Sequence, residues 1–239
     1  KNIIRVPDID LSRMDQVKLA VVMALTERML DVGDRILCLV GRVNRHTTDT
    51  LVVLDVGDEF ETMHLPEQLS QSKKVDSKVF EATLTMALEL ANEGREGRPI
   101  GSIFVVGDTE EVLRYSRQII INPFEGHPVT RRNILDPHLR ETVKEFSSLD
   151  GAFLVRKDGV LLAAGRHLNA AYNGDGLPPG LGSRHAAAAA ITSVTKALAL
   201  TISESTGTVT VFRGGKVMMT LERFRQAPSL TEGENNLDQ

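Results

Sequence analysis

Tryptophan is absent from these 239 residues, tyrosine occurs only twice, and aromatic residues make up 4%. Aliphatic side chains must therefore build any core, and a hydrophobic content of 41% supplies enough of them. A single cysteine excludes an internal disulfide and any Cys–Cys zinc pair. It sits in the apolar run Ile36-Leu37-Cys38-Leu39-Val40, where a thiol is buried and inert. The six histidines do not cluster at metal-ligand spacing. Positive charge is not in excess: 28 Lys and Arg stand against 32 Asp and Glu, a net charge of −4. That balance argues against a broad basic face for nucleic acid. No apolar run is long enough to span a bilayer and no signal peptide is visible. The expectation is a soluble cytoplasmic protein with neither membrane nor nucleic acid as partner.

What is present reads as two units. Ser12 to Asp15 forms a capping box, and an apolar-periodic helix over Val17–Leu30 follows, ending near Gly33. Strand-like runs at Arg35–Val40 and Thr50–Val56 flank a polar loop containing Arg42, Arg45 and His46. This predicts a small α/β unit over residues 1–71. Glu61 to Asp76 is polar, and the domain boundary is expected there. A helix over Ser77–Glu93 ends at Gly94 and leads through a loop, Gly94 to Pro99, into a strand over Ile100–Val106. A second capping box at Asp108 predicts a helix toward Ile119, and Asp136-Pro137 marks another helix start. Ala152–Arg156 and Val160–Ala164 flank a Lys157-Asp158-Gly159 hairpin signal. Strands are expected at Ala199–Ser203, Thr208–Phe212 and Val217–Leu221. Hairpins with intervening helices imply a mixed, mostly antiparallel sheet flanked by helices, an α/β (α+β) unit over residues 72–225. Residues 226–239 read as a polar tail.

Two stretches carry chemistry. One is Gly182-Ser183-Arg184-His185-Ala186-Ala187, where a loop rich in glycine and proline meets an alanine-rich run. Alanine favours helix and glycine opposes it, so a helix begins there, with Ser183 as its N-cap. Its free first-turn amides, an arginine and a histidine make an anion site. The same residues also suit an ordinary capped helix with a solvated arginine. The other stretch is Ser148-Leu149-Asp150-Gly151-Ala152-Phe153, an acid and a glycine just ahead of a strand. Asp150 suits a metal or an ordinary turn, and Gly151 suits close ligand approach or a simple turn.

The pair Asp150-Gly151-Ala152 and Gly182-Ser183-Arg184-His185 resembles the signature of the diadenylate cyclase family. Gly101 to Asp108, Asn122-Pro123-Phe124, Ala163 to Gly165 and Ser203 to Gly207 lie in register with it, so the resemblance runs over roughly residues 72–222. It implies joining two ATP molecules into cyclic di-AMP with a divalent metal, Mn²⁺ or Mg²⁺. On that resemblance Asp150, Gly151 and Ala152 are catalytic. Leu168, Gly182, Ser183, Arg184, His185 and Ser203 contact ATP, and Asp150 and Glu204 hold the metal. Two positions depart from the pattern: Ala186 stands where the family commonly has a second arginine, and Ser205 where it has a second acid. Arg166, Lys196 or a neighbouring subunit are the candidates to replace the missing cation. A two-fold product made from two identical substrates implies a homo-oligomer with head-to-head pairs of sites. The alternative is a non-catalytic nucleotide-binding sensor on a degenerate cyclase fold. A third reading gives the function to the N-terminal unit, which is similar to the C-terminal domain of pyruvate kinase found ahead of the cyclase in archaeal members.

Overall fold

The computed structural model describes residues 3–4, 11–27, 29–42, 47–56, 75–96, 98–171 and 182–222. The expected boundary at Glu61 to Asp76 lies outside them up to residue 74, as do the loop over 172–181 and the tail over 226–239. Helix α1 (Arg13–Thr26) begins at Ser12, whose Oγ accepts the Asp15 amide at 3.1 Å. Ser12 thus caps the helix as the sequence indicates, but the helix starts and stops a turn earlier than expected. It packs on an antiparallel ribbon of β1 (Arg35–Arg42) and β2 (Thr47–Asp55). Helix α2 (Ser77–Glu93) has the expected bounds. Asp76 caps it by accepting the Lys78 amide at 2.9 Å, and Gly94 stops it at φ 64°.

The remaining strands form one sheet: β3 (Ser102–Val106), β4 (Ser116–Gln118), β5 (Ala152–Val155), β6 (Leu161–Leu168), β7 (Leu198–Ile202), β8 (Val209–Arg213) and β9 (Lys216–Leu221). Their order is β4-β6-β5-β3-β7-β8-β9. Among the described residues β3 and β5 run parallel and every other adjacent pair antiparallel. The mixed, mostly antiparallel sheet flanked by helices is the expected fold class. The central strands β3, β5 and β7 are buried along their whole length, which is why they read as unbroken apolar runs.

Side chains alternate between the two faces, as strand geometry requires. Phe104 and Val106 join a core that continues through α2 to α1 and Leu54. Phe104 stacks on Phe153 there, with ring centroids 4.8 Å apart. Ile103 and Val105 join a second core under α5 (Ser183–Val194), where Ala188 and Ala189 let helix and sheet approach closely. The short helices α3 (Thr109–Arg114) and α4 (Arg140–Phe146) complete the set.

Three local expectations need correction. The helix predicted from Asp108 toward Ile119 ends at Arg114, because Ser116–Gln118 pairs with β6 at the sheet edge. Asp108 does not cap it; the residue is left-handed at φ 45° and its carboxylate instead accepts the Lys196 amide at 2.7 Å. The alanine-rich helix α5 begins at Ser183. Its N-cap is Gly182 rather than Ser183, with no side-chain capping bond.

Candidate active site

Strand register brings distant residues to one end of the large sheet. Ile103 lies opposite Ala152 in the parallel pair, so Gly101 and Asp150 both sit just before their strands on the same side. Ser102 lies opposite Ile202 in the antiparallel pair, so β7 delivers Ser203 and Glu204 to that side as β3 leaves it. Helix α5 starts at this end, runs away across the sheet, and returns as β7. Its tip therefore meets Glu204. A cavity of about 510 Å³ opens there, lined among others by Arg95, Arg98, Gly101, Asp150, Arg184 and Glu204. That volume lies within the range of small-molecule sites.

Asp150 is exposed on the cavity wall, and its Oδ1 accepts the Gly151 amide at 2.9 Å. Gly151 has φ 101°, a conformation that other residues rarely adopt. A Cβ there would lie 2.7 Å from the Arg166 nitrogen and 2.9 Å from its carbonyl oxygen. What crowds Gly151 is thus the β6 backbone, and the missing side chain lets β5 begin directly beside it. Ala152 is buried in the core under α5 and pairs with Arg166, away from the cavity wall.

At the α5 tip, Arg184 forms an ion pair with Glu204 at 3.2 Å, and both line the cavity. The Arg184 guanidinium packs over Gly101, where a Cβ would come within 2.6 Å of its Cζ. The missing side chain of Gly101 thus leaves room for Arg184. Nothing in the local sequence marks this contact, because the two residues meet only through the sheet register. Gly182 and Ser183 are exposed at the helix start. His185 points the other way: it is 7% exposed and packs edge-on against Phe212, with centroids 5.9 Å apart. Burial, together with the neighbouring Arg184 charge, lowers its pKa below the usual histidine value, so the ring stays neutral.

Leu168 ends β6, pairs with Ser116 of β4 and packs on the α5 core. Ser203 lies in the turn after β7, with its Oγ 3.3 Å from that of Ser205. Neither lines the cavity among the described residues. Of the cations considered as replacements, Arg166 is committed to β4. It donates to Ser116 Oγ at 2.9 Å and to the Ser116 carbonyl at 2.8 Å. Lys196 follows the far end of α5, roughly 18 Å from the tip at 1.5 Å per residue. Sequence reasoning passed over Arg95, Glu96 and Arg98, which lie on the cavity wall. Their stretch has the composition of a plain loop.

Among the described residues no three His, Cys, Asp or Glu side chains gather into a metal cage. The cavity does offer the carboxylates of Asp150 and Glu204. Mg²⁺-like ions take one or two protein carboxylates and complete their shell with phosphate oxygens and water, so this donor set fits such an ion.

The family model described as DisA bacterial checkpoint controller nucleotide-binding matches residues 89–217, more than half of the chain. The chain belongs to this family. A diadenylate cyclase from Methanocaldococcus jannaschii is 38% identical over 200 residues, which cover 83% of this chain and 63% of that protein. A diadenylate cyclase from Haloferax volcanii is 35% identical over 208 residues, 87% of this chain and 75% of that one. The chain thus spans less than two thirds of the first relative's length. Among solved structures, a hypothetical membrane spanning protein from Bacillus cereus aligns with TM-score 0.45 and 21% identity, covering 60% of this chain and 63% of that one. DacA from Staphylococcus aureus aligns with TM-score 0.40 and 20% identity, covering 59% and 84%. At these scores the two structures carry no argument about the site. The matched family segment contains Gly101, Asp150, Arg184 and Glu204 and leaves out α1 and its ribbon. No helix among the described residues is long and apolar enough to cross a membrane.

Proposed function

We propose that this chain is a diadenylate cyclase that converts two ATP into cyclic di-AMP and two pyrophosphates. The carrying observation is the meeting of Asp150, Arg184 and Glu204 on one cavity, from three separate stretches of chain. Each 3′-oxygen attacks the α-phosphorus of the other ATP, the bond from that phosphorus to the bridging oxygen breaks, and pyrophosphate leaves. The 3′-hydroxyl proton needs an acceptor. Asp150 offers Oδ2 for it, since Oδ1 is held by the Gly151 amide. Arg184 binds phosphate through its planar fork, with Gly101 leaving room for it. A bound Mn²⁺ or Mg²⁺ would neutralise phosphate charge and polarise the α-phosphoryl group. Asp150 and Glu204 are the side chains to hold it.

Gly151 acts by placing Asp150, and Ala152 by anchoring the start of β5 beneath it. Gly182 and Ser183 offer main-chain amides at the helix tip. His185 and Leu168 support the site through the core behind it, and Ser203 shapes the turn that presents Glu204. Since one chain carries one such set, two chains must face each other across a two-fold axis. Residues 1–71 share a core with α2 but leave this chemistry to residues 72–225.

The test is incubation of the protein with ATP and Mn²⁺, followed by chromatography for cyclic di-AMP and a pyrophosphate assay. Cyclic di-AMP with one pyrophosphate per ATP consumed is the expected result. ATP binding without pyrophosphate release would overturn the cyclase and leave a nucleotide sensor.

A further inference from the structure

Three arginines line the cavity, and their commitments differ. Arg184 is paired with Glu204 at 3.2 Å. Arg95 reaches Glu145 at 2.5 Å and donates to Ser148 Oγ at 3.0 Å. It is thereby tied to the end of α4 and the approach to Asp150. The Arg98 side chain is exposed and makes no hydrogen bond or ion pair among the described residues.

The backbone holds Arg98 firmly even so. Arg95 and Arg98 bond to each other in both directions, nitrogen to carbonyl, at 2.9 and 2.8 Å. Glu96 between them has φ 50°, a left-handed conformation unfavourable for a residue with a side chain. Gly94 has φ 64°, and a Cβ there would collide with the Arg98 carbonyl oxygen. Arg95 and Arg98 are therefore tied to each other through the backbone, and Glu96 carries backbone strain. Strain of this kind persists where surrounding structure over-determines it, and it gathers at ligand sites. Glu96 brings a carboxylate to the same wall, 4.0 Å from an Arg95 guanidinium already paired with Glu145, and its side chain is largely in solvent.

We propose that Arg98 is a second phosphate-binding group, gripping the terminal phosphates of a nucleoside triphosphate from the cavity wall. The inference rests on the cyclase reading and adds to it a determinant of polyphosphate length. On the cyclase reading Arg184 and Asp150 serve the reacting phosphate from two elements of the cavity wall. Arg98 comes from a third, the segment entering β3, and among the described residues its guanidinium has no partner to give up on binding. Arg95 is the positioning residue, because its contacts to Glu145 and Ser148 tie it to the segment that carries Asp150. An arginine suits this role better than a lysine, since its fork bonds two phosphate oxygens at once.

The experiment measures binding of ATP, AMP and inorganic tripolyphosphate by calorimetry, with chelator and again with Mn²⁺. It compares the unaltered protein with Arg98→Ala and Arg98→Lys. The side chain is exposed, so both variants should fold, and thermal melting checks that they do. Arg98→Ala should weaken ATP and tripolyphosphate binding about 10- to 100-fold, the scale of lost charge-assisted bonds, and leave AMP unchanged. Arg98→Lys should recover part of the loss. Equal affinities for all three ligands in Arg98→Ala and the unaltered protein would overturn the proposal, as would an equal loss for AMP. Failure of the cyclase reading looks different: the unaltered protein would form no cyclic di-AMP, while the tripolyphosphate comparison would still report on Arg98.

Discussion

The seven-stranded sheet and the N-terminal ribbon bury their apolar residues to very different degrees. In the large sheet β3, β5 and β7 have both faces covered, by α2 on one side and α5 on the other. In the ribbon only one face is covered: Val40 and Leu54 are buried, with Ile36, Cys38 and Val52 packed beside them. On the other face Leu37, Leu39, Leu51 and Val53 are 60%, 67%, 58% and 51% exposed. Register sets them in cross-strand pairs, Leu37 with Val53 and Leu39 with Leu51. Every cavity residue comes from the chain around the fully covered sheet, and none from the ribbon. Catalytic and binding groups need tight positional tolerance, and elements locked on both faces supply it. The ribbon has no such constraint on its open side.

Substitutions can break this contrast or sharpen it. The largest effect is expected at Asp150. Asp150→Asn should lower cyclic di-AMP formation by roughly 10²–10⁴-fold while ATP affinity stays within about threefold, as measured by product formation and calorimetry. Activity near the original level would move the chemistry away from this end of the sheet. Gly151→Ala comes next. At φ 101°, with β6 backbone 2.7 Å from the new Cβ, it should destabilise the fold by about 2–4 kcal/mol in urea denaturation. An unchanged midpoint would mean that the start of β5 is less tightly held than described here.

Arg184→Ala should weaken ATP binding by about 1.5–3 kcal/mol. Unchanged affinity would remove the helix tip from the phosphate site. A smaller effect is expected from His185. Its pKa is depressed in the fold, so the unfolded chain binds the proton more readily. Stability is then full above the unfolded value near 6.5 and falls as pH drops below it toward the folded value. His185→Phe should flatten that part of the stability–pH curve; an unaltered slope would assign it to other groups. Least of all should follow from Leu39→Lys combined with Leu51→Glu, an opposite-charge pair across the two strands. Both positions are exposed, so stability should move by no more than about 0.5 kcal/mol and ATP affinity not at all. A loss of ATP affinity in this variant would couple the ribbon to the site and end the contrast drawn above.

The sequence displays α2 almost entirely, since its cap, apolar face and terminating glycine are all local. The hairpin at Asp158-Gly159 is equally local, with Gly159 at φ 90°. The helix from Asp108 was overextended because β4 is made by pairing with β6, a distant partner that local propensity does not register. The inward turn of His185 did leave a trace. Ala188, Ala189 and Thr192 follow it at helical spacing and are all buried, so the phase of α5 assigns His185 to the core and Arg184 to another face. Arg95 and Arg98 left none. Their stretch reads as a polar loop, and only the register of β3 against β5 and β7 brings it to Asp150 and Glu204.

The contact between Arg184 and Glu204 has a consequence for which anions the mouth admits. An exposed pair of this kind opens at a cost of at most about 1 kcal/mol, yet while closed it cancels the charge that would draw in stray phosphate or sulfate. A lone anion satisfies the arginine but strands the glutamate. A nucleotide arriving with its own divalent ion suits both, so the resting molecule favours chelated triphosphate over the simpler anions around it.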